Sequence, residues 1–146
     1  MKQFIAKAEI RWADLDPNFH VLHSRYYDFG AFCRMAFLVE KGLSPGVMKE
    51  HHIGPILFRE ECFFKKELNF GDEIHISLEL SKTTSNYARW SMEHEILKNG
   101  NVLSAKINID GAWMNTQTRK LTVPPAFVAE IFDSMPKSEN FQIIIK

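Results

Sequence analysis

Two carboxylates and two imidazoles lie close together in one short polar segment near the start of the chain: Asp14, Asp16, His20 and His23. Such side chains transfer protons in catalysis, and a carboxylate can also act as a nucleophile. Aspartates in such loops often only form turns, as Asp16 before Pro17 would, so both interpretations stay open here. The histidines are three residues apart, but no acidic or thiol partner stands at a spacing that completes a metal site, so none is expected.

A long helix is predicted directly after this segment, from Arg25 to Lys41. Ser24 is a plausible N-cap, and Gly42 stands where a left-handed C-terminal cap is expected. The helix is apolar on nearly all sides, which predicts that other structure wraps it. Its N-terminus would present unpaired backbone N–H groups to a negative charge next to the polar segment.

The rest of the chain reads mainly as strands joined by turns. Alternating apolar residues predict a first strand before the polar segment, and Asn99-Gly100 is a strong hairpin signal. One long helix on a curled, five-stranded antiparallel sheet would bury the apolar faces, which makes the fold class α+β. The predicted strands cover about residues 4–12, 56–68, 74–80, 88–96 and 103–113, a short helix covers 126–133, and the tail 141–146 is left as an added strand or a partner contact.

Composition favours a single domain spanning residues 1–146. The 18 basic and 18 acidic residues cancel, which argues against a nucleic acid or an anionic membrane as partner. No apolar run approaches the roughly 20 residues of a membrane span, and the start of the chain does not read as a signal peptide. Cys33 and Cys62 are expected to be free thiols, so we expect a cytoplasmic protein.

Three stretches of the sequence carry a family resemblance. They are the segment with Asp14-x-Asp16, His20-Val21, His23, Tyr26, Phe29 and Arg34, the pair of landmarks Phe58-Arg59-Glu60 and Gly71-Asp72-Glu73-Ile74, and the last strand from Asp110 to Arg119. Together they resemble hotdog-fold acyl-CoA thioesterases of the 4-hydroxybenzoyl-CoA thioesterase type. The resemblance covers residues 3 to 133, and the order of elements derived above agrees with it.

The resemblance implies a thioesterase that hydrolyses an acyl-CoA to a free acid and CoA. It makes Asp16 the catalytic carboxylate, as general base or nucleophile, and His23 an auxiliary group. The backbone amides from Ser24 through Arg25 to Tyr26 would donate hydrogen bonds to the developing oxyanion. No cofactor and no metal are required.

Assembly into a homodimer or homotetramer is expected, because a five-stranded sheet leaves exposed edges that a second copy can cover. The resemblance places the active site at the dimer interface, where Phe58 and Arg59 of the partner subunit line the tunnel for the pantetheine. Arg59 and Lys65-Lys66 would then meet the phosphates of the coenzyme, although a charged strand end on the surface explains them as well.

Several polar residues have structural interpretations. Asp14 is expected to hydrogen-bond its own loop, His94 to be a satisfied core histidine, and His51 and His52 to lie in a solvated loop.

The sequence departs from the family pattern at two positions. Phe19 stands where the family commonly has glycine, and Ala31 stands where it frequently has a helical glutamate. These departures keep open the alternative of a non-catalytic module that binds or senses acyl-CoA. A thioesterase acting on acyl carrier protein is a second alternative, against which the lack of an evident basic patch argues. A hotdog dehydratase is disfavoured, because Ala31 removes the carboxylate and the chain has no His-Phe-Pro loop.

Overall fold

A computed structural model describes residues 3–144 of the chain. A 3-10 helix at Trp12–Asp14 follows the first strand. The strands among residues 3–144 are β1 (Ile5–Ala8), β2 (Ile53–Phe64), β3 (Ile74–Ser77), β4 (Glu79–Thr84), β5 (Arg89–Lys98), β6 (Val102–Asn115), β7 (Lys120–Leu121) and β8 (Lys137–Ile144). The α-helices are α1 (Arg25–Glu40), α2 (Pro45–Glu50) and α3 (Ala126–Asp133).

The sheet runs in the order β1, β3 with β4, β5, β6 and β2, and every pairing along this path is antiparallel. β3 and β4 lie one after the other along the same edge of β5, so they form a single interrupted strand path. The predicted five-stranded curled sheet with one long helix is therefore confirmed. One addition was not predicted, the short β7 that pairs with β6. The strand β8, which contains most of the tail and runs parallel to β4, corresponds to the added strand that was one of the two alternatives for the tail.

The curled sheet packs around helix α1, as predicted, and covers most of its residues, while one stripe of the helix stays open to solvent in a single copy. The buried face includes Tyr26, Cys33 and Phe37, while Phe32 and Val39 are 49% and 50% exposed. Exposed apolar residues on one helix face are typical of an interaction surface.

Gly30 sets how closely α1 approaches the sheet. A Cβ atom there would lie 3.2 Å from the ring of His94 and 3.3 Å from the guanidinium of Arg34. Glycine weakens a helix interior by about 1 kcal/mol relative to alanine, so close packing is the compensating gain at this position.

The interruption at Leu78 is caused by hydrogen bonds between Ser77 and β5. The Ser77 hydroxyl accepts a hydrogen bond from the Glu95 N–H at 2.9 Å, and the Ser77 carbonyl accepts one from Nδ1 of His94 at 2.8 Å. These two bonds replace the backbone hydrogen bonds that a continuous strand would form with β5 at this position. The alternating pattern across 74–80 predicts a continuous strand because it carries no sign of them.

Three other boundaries differ from the sequence-based expectation. The first strand ends at Ala8, four residues early, because the chain turns into the 3-10 helix. The loop predicted around His51 and His52 begins late, because the unpredicted helix α2 ends only at Glu50; this helix is capped by the Ser44 side chain, which accepts from the Val47 N–H at 3.2 Å. The tail forms the end of β8, while residues 145 and 146 lie outside the described residues.

The turn and cap predictions are largely confirmed. Asn99 and Gly100 both have positive φ, at 49° and 101°, and Gly42 has φ of 94° after α1. Ser24 occupies the N-cap position, but its backbone is already helical and its side chain makes no capping hydrogen bond. The predicted capping role of the Ser24 hydroxyl is therefore wrong, because the chain enters α1 through a preceding turn.

Candidate active site

The carboxylate of Asp16 is held by the backbone of its own loop. Its Oδ1 accepts hydrogen bonds from the N–H groups of Asn18 at 2.8 Å and His20 at 3.1 Å, and its own N–H donates to the His20 carbonyl at 2.8 Å. The other carboxylate oxygen, Oδ2, has no hydrogen-bond partner among residues 3–144. Asp16 is half-buried, so one oxygen is fixed while the other can meet water or a ligand.

Two neighbouring contacts attach this loop to the protein. Leu15 and Val21 form an isolated antiparallel bridge, and the Val21 N–H donates to the Leu68 carbonyl at 2.9 Å. Nε2 of His20 lies 3.1 Å from a carboxylate oxygen of Glu67. The loop therefore packs against Glu67 and Leu68, which follow β2, and the side chain of His20 takes part in this contact.

Phe19 adopts a left-handed backbone with φ of 66°, at the position where the family commonly has glycine. A bulky side chain is rarely found in this conformation, which favours glycine. Its ring is 62% exposed and lies 6.2 Å from the ring of Trp12, which is also exposed. The loop thus keeps the shape that a glycine would allow, at the cost of backbone strain.

Asp14 anchors the other side of the loop. It is 2% exposed, and its carboxylate accepts hydrogen bonds from the N–H and the guanidinium of Arg11. Burial alone would raise the pKa of Asp14, but the hydrogen bonds from Arg11 and the charges of Arg11 and Arg25 bring this pKa below its ordinary value. The predicted structural role of Asp14 is confirmed.

The first turn of α1 leaves one of the three predicted donor amides without an internal acceptor. The Arg25 N–H donates to the Leu22 carbonyl at 2.9 Å, and the Tyr26 N–H to the His23 carbonyl at 3.4 Å. The Ser24 N–H makes no such bond within residues 3–144. The turn before the helix therefore uses two of the amides that a straight helix start would leave free.

The side chains around this turn lie in different surroundings. His23 is exposed, and no hydrogen bond joins it to Asp16 in the described part of the chain. The guanidinium of Arg25 pairs with Asp28 at 3.3 Å. The ring of Tyr26 is buried edge-on against Phe64, with 4.9 Å between centroids.

Within one copy of the chain, Phe58 and Arg59 contact charged residues of β2, β5 and β6. The ring of Phe58 is 5.6 Å from the guanidinium carbon of Arg89. Arg59 forms ion pairs of 2.7 Å with both Glu61 and Asp110. These contacts fix the side chains of both residues against neighbouring strands of the sheet.

The two cysteines are free thiols, as predicted. Burial raises the pKa of Cys33 to about 12 and that of Cys62 to about 11, so both stay protonated near neutral pH. Protonated thiols are poor nucleophiles, which leaves the carboxylate as the stronger candidate. Among residues 3–144, no three His, Cys, Asp or Glu side chains cluster as metal ligands would.

A second polar cluster was missed as a site. From the sequence, Arg34 is predicted only as part of the family motif and His94 only as a core histidine. In the structure the two side chains meet, with Nη1 of Arg34 3.0 Å from Nε2 of His94. The predicted core role of His94 is confirmed, because it is fully buried and hydrogen-bonded on both nitrogens. The sequence signal that indicates this cluster is the single arginine, Arg34, within an otherwise apolar stretch of helix.

The family is decided by a sequence profile described as the thioesterase-like superfamily, which matches residues 10–132. The chain belongs to this superfamily. It is also similar to a protein of Aquifex aeolicus (strain VF5) that is provisionally named an esterase, with 28% identity over 115 residues, 69% of this chain and 90% of the relative.

Solved structures share the fold of this superfamily member. A 1,4-dihydroxy-2-naphthoyl-CoA thioesterase from Synechocystis has a TM-score of 0.81 and 16% identity, covering 91% of this chain and 97% of that one. A Staphylococcus aureus protein in complex with CoA has a TM-score of 0.81 and 18% identity, covering 99% and 96%. These likenesses confirm the hotdog fold. No helix within residues 3–144 has the length and apolar character needed to cross a membrane.

Proposed function

We propose that this protein hydrolyses an acyl-CoA thioester to a free acid and CoA, with Asp16 as the catalytic carboxylate. The observation that carries the proposal is the geometry of Asp16, whose Oδ1 is fixed by two loop amides while Oδ2 has no hydrogen-bond partner among the described residues 3–144. The loop leads directly into the N-terminus of α1, where backbone N–H groups can receive a developing negative charge. Superfamily membership and the CoA complex of a structural neighbour support a CoA thioester as substrate.

The reaction can follow one of two routes from this geometry. As a general base, Asp16 takes a proton from water while the water oxygen attacks the thioester carbonyl carbon. The amide of Ser24, with those of Arg25 and Tyr26 once their turn bonds loosen, stabilises the oxyanion. The C–S bond then breaks with its electron pair on sulfur, and the proton passes to the thiolate from Asp16 or from His23.

As a nucleophile, the Asp16 carboxylate attacks the carbonyl carbon itself and expels the CoA thiolate. This forms a mixed anhydride between the acyl group and Asp16, and water then hydrolyses it. The two routes differ in the origin of the new oxygen atom in the product acid.

We propose that the active protein is a homodimer or homotetramer whose sites lie between subunits. β2 pairs with β6 on one side and has no strand partner on its other side within residues 3–144. Phe58 and Phe64 on this strand are 54% and 50% exposed. A second copy at this edge would cover them and bring Phe58 and Arg59 of the partner subunit towards the bound coenzyme.

The test is release of free thiol from a panel of short-chain, long-chain and aromatic acyl-CoAs by the wild type and by Asp16→Asn. We expect turnover by the wild type and a loss of about a hundredfold or more in kcat for the variant, since its amide cannot accept the proton. Asp133→Asn, an exposed carboxylate on α3, is the matched control and should keep full activity. An equally fast Asp16→Asn enzyme would remove Asp16 from the mechanism.

A single turnover in ¹⁸O-labelled water distinguishes the two routes. General-base catalysis places the label in the product acid. Nucleophilic catalysis, in which water attacks the carboxyl carbon of Asp16 in the mixed anhydride and breaks its bond to the bridging oxygen, places the label in Asp16 and releases unlabelled acid. If the wild type binds acyl-CoA without cleaving it, the protein is a binding module instead. If the protein cleaves only thioesters of acyl carrier protein, CoA is the wrong carrier, while the proposed thioester hydrolysis stands.

A further inference from the structure

Three exposed aromatic side chains lie next to the Asp16 loop, and we call them the aromatic patch: Trp12, Phe19 and Phe70. Trp12 is 72% exposed and Phe70 is 61% exposed, and the rings of Trp12 and Phe19 meet at an angle of 47°. His20 and Asn69 form an isolated antiparallel bridge, which places the neighbouring residues Phe19 and Phe70 at the same end of the bridged pair. Exposed apolar side chains of this size that lie together are typical of an interaction site.

Phe19 is the member of the patch that departs from the family pattern. Its backbone is left-handed, with φ of 66°, where the family commonly has glycine. Residues held in such strained conformations cluster at active sites and ligand clamps. A glycine at this position would avoid both the strain and the exposed ring, so the ring of Phe19 is retained for a contact outside the single chain.

The patch is fixed beside the proposed reaction centre. The Phe19 N–H donates to the Asp16 carbonyl at 2.9 Å, and the Leu15 N–H donates to the Trp12 carbonyl at 3.2 Å. These two turns hold the backbone of both aromatic residues next to Asp16, whose Oδ2 has no hydrogen-bond partner among residues 3–144. A substrate whose carbonyl carbon meets that oxygen therefore has the patch beside its acyl group or beside its coenzyme.

Charge favours the acyl group. The basic side chains that adjoin the patch in sequence are already engaged, with Arg11 2.9 Å from Asp14 and His20 3.1 Å from Glu67. The carboxylate of Asp16 repels the phosphates of the coenzyme. An uncharged alkyl chain avoids this repulsion and gains from covering apolar ring surface.

We propose that the aromatic patch binds the alkyl chain of an aliphatic acyl group and that Phe19 sets the preference for chain length. This inference rests on the proposed function for its acyl-CoA, but binding can be measured without turnover. A chain long enough to lie across the rings of Phe19 and Trp12 would bind more tightly than a short one. A glycine at position 19 would remove this advantage.

The first test is binding of CoA, S-ethyl-CoA and S-hexyl-CoA to the wild type, since thioethers cannot be hydrolysed. Trp12 is exposed while Trp90 and Trp113 are buried, so quenching of tryptophan fluorescence by acrylamide reports on Trp12 and is assigned with Trp12→Phe. We expect S-hexyl-CoA to bind about tenfold more tightly than S-ethyl-CoA and to protect Trp12 from the quencher. Four additional methylene groups that are half-covered by the rings account for a factor of this size.

Three variants separate the ring of Phe19 from its backbone strain. Phe19→Ala keeps the strain and Phe19→Gly relieves it, while both remove the ring, and Phe19→Tyr keeps both. We expect the preference for S-hexyl-CoA to fall to about threefold in the first two variants and to stay at about tenfold in the third. A preference that survives in Phe19→Gly, no preference in the wild type, or equal protection of Trp12 by CoA and S-hexyl-CoA would overturn the proposal.

The second test is turnover of hexanoyl-CoA and acetyl-CoA. We expect Phe19→Ala to raise KM for hexanoyl-CoA about fivefold with little change in kcat, as loss of uniform binding predicts, and to leave KM for acetyl-CoA in place. If neither thioester is cleaved but S-hexyl-CoA is still preferred, the proposed hydrolysis fails and the binding site stands. Cleavage of both thioesters with no effect of Phe19→Ala on either KM would leave the hydrolysis standing and refute the inference.

Discussion

The Asp16 loop holds its carboxylate through the backbone of residues 16–20, whereas the core between α1, the sheet and α3 is assembled from distant parts of the chain. We call this part of the core the inner core, and its members are Trp90, His94, Trp113 and Phe132. The loop is half-exposed and its hydrogen bonds are local, while the side chains of the inner core are buried. Proton transfer at a surface loop needs an oriented oxygen within reach of water, while a stable core needs close packing.

The two regions also differ in what damages them. A change in the loop should alter activity with little effect on stability, because few buried contacts depend on it. A change in the inner core should alter stability first, because its side chains pack closely. The indoles of Trp90 and Trp113 pack with the ring of Phe132, with centroids 5.5 to 6.3 Å apart.

The largest effect is expected for Gly111→Ala beside the inner core. A Cβ atom at Gly111 would lie 2.5 Å from the Ile56 carbonyl oxygen and 2.5 Å from the Trp90 ring, so both the backbone of β2 and an indole of the inner core must move. We expect the free energy of unfolding to fall by about 3 kcal/mol, as measured by urea denaturation.

Gly54→Ala is the matched control for this substitution. Its Cβ would meet only the Thr116 methyl group at 3.4 Å, an ordinary contact, so the variant should be as stable as the wild type or slightly more so. Equal stability of the two variants would contradict the view that the close approach at Gly111 fixes the packing of the inner core.

A smaller effect is expected from pH, again in the inner core. Burial, together with the charge of Arg34, lowers the pKa of His94 to about 3 from an ordinary 6.5. The folded protein therefore keeps His94 neutral, while the unfolded chain takes up a proton as the pH falls below 6.5. The free energy of unfolding should fall by about 2 kcal/mol between pH 7 and pH 5 from this group alone.

His94→Gln identifies the residue responsible for this pH dependence. The variant should be less stable at pH 7 and should lose most of the difference between pH 7 and pH 5, as measured by urea denaturation at both values. A wild-type stability that stays level over this interval would mean that His94 takes up a proton as readily in the folded protein as in the unfolded chain.

The sequence predicts the local parts of this molecule well. The bounds of α3 and, within one residue, those of α1 follow from apolar spacing and from Pro124-Pro125 and Gly42. The hairpin at Asn99-Gly100 follows from turn chemistry. The structural role of Asp14 also follows from local residues, since its partner Arg11 is three residues away.

The parts that sequence reasoning missed depend on long-range packing. The break at Leu78 arises because Ser77 bonds with residues of β5, and the inner core forms because Trp90, Trp113 and Phe132 converge from separate elements. A single sequence also gives no sign that β8 pairs in parallel with β4. Periodicity reports which residues face inward, but it does not report what they meet there.

The smallest effect is expected in the loop, at Phe19. Because Phe19 has φ of 66°, replacing it with glycine should relieve backbone strain, whereas alanine keeps the strain and removes the ring. We expect Phe19→Gly to exceed Phe19→Ala by about 1 kcal/mol in the free energy of unfolding, as measured by urea denaturation. Both variants lose the exposed contact with Trp12, so this difference isolates the backbone term.

Activity should separate the strain from the position of Asp16. If the loop hydrogen bonds alone fix the carboxylate, Phe19→Gly keeps the wild-type kcat, because the amides of Asn18 and His20 still hold Oδ1. A loss of kcat in Phe19→Gly but not in Phe19→Ala would instead show that a stiff residue at this position keeps the loop closed. Both the strained residue at position 19 and the loop hydrogen bonds would then be required to position the Asp16 carboxylate.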